Sequence, residues 1–64
     1  MHLKLIEIRK SKSLTIYDIA KKLDISPAYY YMIEKGDKKL YYDMAVKISS
    51  VFSMKPDEIF YTTN

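Results

Sequence analysis

Apolar residues recur at intervals of three and four along residues 3–60, and short polar turns divide them into five segments. In the first, about 3–10, Leu5 and Ile8 lie three apart and Arg9 stands one turn after Leu5 in the same stripe. The second opens at Thr15, whose hydroxyl can accept a backbone N–H while Asp18, three residues on, reaches back to complete a capping box. Ile16, Ile19, Ala20 and Leu23 then keep helical spacing, and Asp24 ends the segment. Ser26 reads as the N-cap of a third helix, with Pro27 at the first helical position, where its missing N–H costs nothing. Gly36 closes that helix as its left-handed terminal residue. After the turn "DKK", a fourth helix over roughly 42–52 carries Tyr42, Ala45, Ile48, Ser49 and Phe52 on one face. Pro56 opens a short last helix, "PDEIF", whose Asp57 and Glu58 suit the positive end of its dipole. No segment reads as a strand. The expected fold is all-α, a compact five-helix domain spanning 1–64.

Composition narrows what such a domain can be. With 64 residues it is near the lower limit for a chain that folds alone, and it has no cysteine to reinforce it through disulfides or thiolate zinc sites. No apolar run approaches the ~20 residues of a membrane span. The opening "MHLKLIEIRK" carries charges at Lys4, Glu7, Arg9 and Lys10, unlike a signal peptide, so a cytoplasmic protein is expected. His2, the only histidine, stands at a terminus expected to be mobile. With no glycine-rich phosphate loop and no His/Asp/Glu set at metal-ligand spacing, no catalytic residue, metal or cofactor is expected, and an enzyme is the poorest fit. The net charge of +3 says little alone; the placement of the ten lysines says more.

The second and third helices, joined by a three-residue turn, form a helix-turn-helix unit over about 15–35, "TIYDIAKKL-DIS-PAYYYMIEK". Many helical proteins contain such a pair. The longer stretch "LTIYDIAKKLDISPAYYYMIEKG", with "LIEIRKSKSL" before it and "DMAVKISSVFSMKPDEIF" after it, resembles the lambda-repressor-like regulators of the Cro/CI or XRE type. The resemblance covers nearly all of residues 3–60. It implies a prokaryotic or phage regulator of transcription, a repressor, that binds a pseudo-palindromic double-stranded operator as a homodimer. Helix 27–35 would be the recognition helix in the major groove, and segment 15–23 would cross the DNA backbone.

The resemblance assigns roles residue by residue. The chain uses arginine once, at Arg9, the side chain suited to planar bidentate pairing away from water. Family members pair this position with that of Glu34, so an Arg9–Glu34 ion pair is expected to hold the first helix on the third. Helical spacing sends Tyr30 and Ile33 inward with Glu34 beside them, and sends Pro27, Ala28, Tyr31 and Met32 the other way. Ala28, Tyr29, Tyr31 and Met32 are the candidates for base contact: methyl and thioether groups can meet a thymine methyl, and a phenol can bond phosphate or base. Ile16, Tyr17, Lys35, Lys38 and Lys39 are the candidates for the DNA backbone, with Lys10 and Lys12 extending the patch; Lys21, Lys22 and Lys47 read as solvated surface. Ile16 replaces the glutamine common in the family, leaving backbone N–H groups as anion donors there. Asp24 replaces the usual glycine of the turn, a substitution that a left-handed aspartate tolerates.

The alternative class is a protein-interaction module, or an antitoxin subunit combining both activities, in which Tyr29, Tyr31, Met32, Tyr41 and Tyr61 meet a partner protein. For the homodimer, Ile59 and Phe60 read as core, and Met54 and Tyr61 are the interface candidates on the fourth and fifth helices.

Overall fold

The computed structural model describes residues 1–61 as five α-helices: α1 Leu3–Ser11, α2 Ile16–Leu23, α3 Pro27–Lys35, α4 Tyr42–Val51 and α5 Pro56–Ile59. Among the described residues there is no strand, and the architecture is all-α. α2 packs on α3 and α4, α5 packs on α4, and α1 packs on α3. The shared core is built from Leu5, Ile19, Ala20, Tyr30, Ile33, Ile48, Phe52 and Ile59, one or two from each helix.

The first four helices all stop in the same way. Ser13, Asp24, Gly36 and Ser53 each take a left-handed conformation, with φ of 58°, 59°, 88° and 55°. The next N–H then turns back to a carbonyl five residues earlier: Leu14 to Arg9, Ile25 to Ala20, Asp37 to Met32 and Met54 to Ser49, at 2.9–3.1 Å. This satisfies carbonyls that a helix end leaves unpaired. In three cases the residue after the left-handed one is apolar and packs against the core: Leu14, Ile25 and Met54. The fourth, after α3, is Asp37, so this turn stays at the surface with Lys38 and Lys39 beside it.

At the helix starts, Thr15 Oγ1 accepts from the Asp18 N–H at 3.1 Å while the Thr15 N–H donates to Asp18 Oδ2 at 2.9 Å. The Thr15 backbone N–H first, and the nearby Thr15 hydroxyl second, hold the Asp18 carboxyl below the ordinary carboxylate range. Ser26 Oγ accepts from the Tyr29 N–H at 3.1 Å, with Pro27 opening α3.

Three sequence expectations need correcting. Tyr42 is 63% exposed rather than on the buried face of α4, because it sits in the first turn, where the helix runs past the edge of the core. Phe60 is half-buried at the core margin, with its ring edge-on to His2 at 5.5 Å. His2 is accordingly tied down: it is half-buried, and its N–H donates to the Glu34 carbonyl at 2.8 Å. Burial, with the chain's amino group beside it, pushes its imidazole toward the neutral form.

Arg9 and Glu34 lie inside, 8% and 2% exposed. Arg9 Nε donates to Glu34 Oε2 at 2.6 Å and Nη2 to Oε1 at 3.2 Å, a two-pronged fork. Its remaining arm, Nη1, donates to the Leu14 carbonyl at 3.0 Å. One side chain thus joins α1, the turn before α2, and α3. Glu34's hydrogen bond raises the Arg9 pKa further above its already high ordinary value.

Tyr30 is completely buried, and its hydroxyl, beside Glu34 and Arg9, makes no hydrogen bond of good geometry to either. Burial first, and the neighbouring Glu34 carboxylate second, hold its phenol well above the ordinary tyrosine value of 10.0, with Arg9 pulling the other way. A buried hydroxyl without a partner costs about 1–3 kcal/mol. Tyr30→Phe is therefore expected to raise stability by about 1 kcal/mol, the low end, because two charged groups solvate the oxygen in part. A raised folded-state pKa contributes stability that is present below the unfolded value and lost as pH rises above it. The advantage of the phenylalanine variant should thus widen above pH 10, where the unfolded parent ionises and the folded one does not. Urea melts from neutral to alkaline pH test this; a variant less stable by 1 kcal/mol or more at neutral pH would mean that the hydroxyl is bonded to Glu34 after all.

Candidate nucleic-acid interface

α2 and α3 meet through a turn in which left-handed Asp24 reverses the chain, Ile25 anchors it to the core and Ser26 starts the next helix. α3 keeps Tyr30, Ile33 and Glu34 inside. Its other side presents Ala28, Tyr31 at 48% exposure and Met32 at 38%. Tyr29 is half-buried and leans on the core, so it stands apart from the other three.

Tyr17, on the first turn of α2, is 72% exposed. Together with Ile16 it faces the start of α3, and Ile16, Tyr17, Pro27, Ala28 and Tyr31 line a cleft of about 290 Å³. Ile16 and Tyr17 also belong to an adjoining groove of about 440 Å³ that includes Lys10, Ser13 and Thr15. In the first turn of α2 their backbone N–H groups have no carbonyl within the helix to bond. The Ile16 side chain is half-buried against the core, and the donor this residue offers is its backbone N–H.

Lys35 at the end of α3, and Lys38 and Lys39 beyond it, are exposed and differently engaged. Lys35 Nζ lies 5.3 Å from the Tyr31 ring centre and 3.5 Å from an Asp37 carboxylate oxygen. Lys39 Nζ lies 5.4 Å from the Tyr41 ring centre. The Asp37 pair is open to water and worth little, yet it offsets part of the Lys35 charge toward any anion.

A family model described as helix-turn-helix matches residues 5–59, which is most of the chain and all of the five helices but the first two residues of α1. The chain belongs to this helix-turn-helix family. Its members are lambda-repressor-like DNA-binding regulators, and the chain is one of them at that level of description. No curated protein and no solved structure gives a significant match.

Within this helix-turn-helix domain, the sequence candidates divide into separate groups. Ala28, Tyr31 and Met32 share the exposed side of α3, with Tyr17 across the cleft; Lys35 ends the same helix, and Lys38 and Lys39 follow in the turn beyond it. Met54 packs against the core, whereas Tyr61 is 48% exposed and lies beside Tyr42, their ring centres 6.4 Å apart. Pro27 as a wall of the cleft was not among the candidates. Its spacing from Ala28 and Tyr31 marked it as outward, but its partner wall comes from another helix. Among the described residues, no three acidic, histidine or cysteine side chains gather as a metal site, and no helix is long and apolar enough to cross a membrane.

Proposed function

We propose that the protein is a transcriptional repressor that binds a pseudo-palindromic operator as a homodimer, with α3 in the major groove. Ala28, Tyr31 and Met32 face base edges, and Tyr29 reaches the groove wall from the flank. The N–H groups of Ile16 and Tyr17 and the ammonium groups of Lys35, Lys38 and Lys39 hold phosphates, which set position and orientation without reading sequence. Dimer contact runs through the α4–α5 side, with the exposed Tyr61 in it and Met54 buttressing it from the core. Repression follows from occupancy: a dimer across the operator blocks other proteins from the same groove.

The observation that carries this reading is the division of α3. Its inward side is locked by Tyr30, Ile33 and the Arg9 fork, so the exposed side is rigid and available. Three lysines in each protomer imply about six phosphate contacts per dimer, and hence a log–log salt slope of roughly −5. The test is binding to the protein's own upstream DNA, and to duplexes selected from a random pool, across a salt series. Steep weakening with salt, with two protomers per duplex, is expected. Binding to no duplex at low salt would refute the reading.

A second reading, a protein-binding or antitoxin role, draws support from a different surface. Tyr41 and Tyr42 are 61% and 63% exposed, and Tyr42 is paired with Tyr61. Aromatic side chains placed like this favour protein interfaces. A partner held there would bind almost independently of salt, in contrast to DNA.

A further inference from the structure

The cleft between the first turns of α2 and α3 is the most specific feature of the exposed face. It is lined by Ile16, Tyr17, Pro27, Ala28 and Tyr31, and its only side-chain polar atoms are two phenol oxygens. It holds no guanidinium, ammonium or carboxamide, so it lacks the paired donors that read guanine and the donor–acceptor pair that reads adenine. On the major-groove edge of standard base pairs the one apolar group is the C5-methyl of thymine.

We propose that this cleft is a thymine-methyl pocket and that it makes thymine, rather than guanine or adenine, the base the protein selects. The proposal rests on the reading of α3 as a groove-binding helix. Two walls are held before any ligand arrives: Ile16 is packed against the core and Pro27 is fixed behind the Ser26 cap, while the Tyr17 and Tyr31 rings complete the cleft from its exposed rim. Two cations stand near the cleft, Lys10 in the adjoining groove and Lys35 over the Tyr31 ring. An apolar slot with cations beside it suits a methyl group borne on a polyanion better than the apolar side chain of a neutral partner.

Deoxyuridine tests this directly, because it differs from thymidine in the major groove only by the missing methyl. In an operator selected from a random duplex pool, thymines are replaced one at a time by uracil. At one or two positions in each half-site, affinity should fall about fourfold, the effect of burying one methyl group. Placing 5-methylcytosine rather than cytosine at the same position should restore a similar factor, since it returns the methyl without the thymine. Tyr31→Ala, which removes one wall, should bring the thymine-to-uracil ratio close to one. Equal affinity for thymine and uracil at every position would overturn the pocket while leaving DNA binding intact. Failure to select any duplex at low salt would overturn both.

Discussion

Glu34→Gln is expected to cost this domain about 3–5 kcal/mol, the loss typical when one partner of a buried ion pair is removed. The substitution keeps the shape and deletes the charge. Arg9 would remain 8% exposed, with its Nη1 arm still held by the Leu14 carbonyl and its other two arms facing an amide that cannot accept both. Its high pKa prevents escape by deprotonation, so the charge stays buried and unpaired. Domains of about this size have roughly 3–10 kcal/mol in total, at 0.05–0.15 kcal/mol per residue, so most of the stability should go. Urea unfolding at neutral pH measures it, and a change under about 0.5 kcal/mol would show that the fork contributes nothing. The double variant Arg9→Met with Glu34→Leu should recover much of the loss, because replacing both charges by apolar groups of similar volume removes the desolvation cost as well. The consequence reaches beyond stability. Arg9 joins α1 and the turn before α2 to α3, so the single variant should also loosen the angle at which α3 presents Tyr31 and Met32.

Most helices could be read from the chain because their ends carry chemistry: Thr15 with Asp18, Ser26 with Pro27, and Gly36 each mark a boundary by side-chain type. The stops at Ser13 and Ser53 were less visible, since serine has no special tolerance for the left-handed region. The usable signal was the next residue: a small polar position followed by a lone apolar one, Leu14 or Met54, that folds back onto the core. Met54, an interface candidate by its place in the sequence, is half-buried and serves as a helix-stop anchor. Tyr42 misled for the opposite reason. Its spacing from Ala45, Ser49 and Phe52 is helical and inward, but periodicity does not say where a core ends.

The candidate site follows the same division. Spacing alone separates Tyr30 from Tyr31, because they lie 100° apart on one helix. It could not foresee the cleft, whose walls are about ten residues apart in sequence and meet only through the α2–α3 turn. A tyrosine at position 17 carries no mark of facing Pro27 and Tyr31 until left-handed Asp24 and the anchored Ile25 set that geometry.

Lys38→Ala with Lys39→Ala is the other large expected effect, and it falls on DNA rather than on folding. Both side chains are exposed in the turn after α3, away from the core, so stability should change by less than about 0.5 kcal/mol. Removing two phosphate contacts per protomer should flatten the log–log salt slope by roughly 1.8 per half-site. Near 0.1 M salt that corresponds to a loss of about 60-fold in half-site affinity. The loss should be uniform across sequences, because phosphates carry no base identity. Fluorescence anisotropy on half-site duplexes at several salt concentrations gives both quantities, and an unchanged slope would remove this turn from the interface. The informative comparison is Lys21→Ala with Lys22→Ala, on the exposed C-terminal turn of α2. Each double variant lowers the net charge by two, from +3 to +1, so a general attraction between a basic protein and DNA would weaken equally in both. A loss confined to the Lys38 and Lys39 variant would instead tie affinity to where the charges stand, at the end of the helix that presents Tyr31.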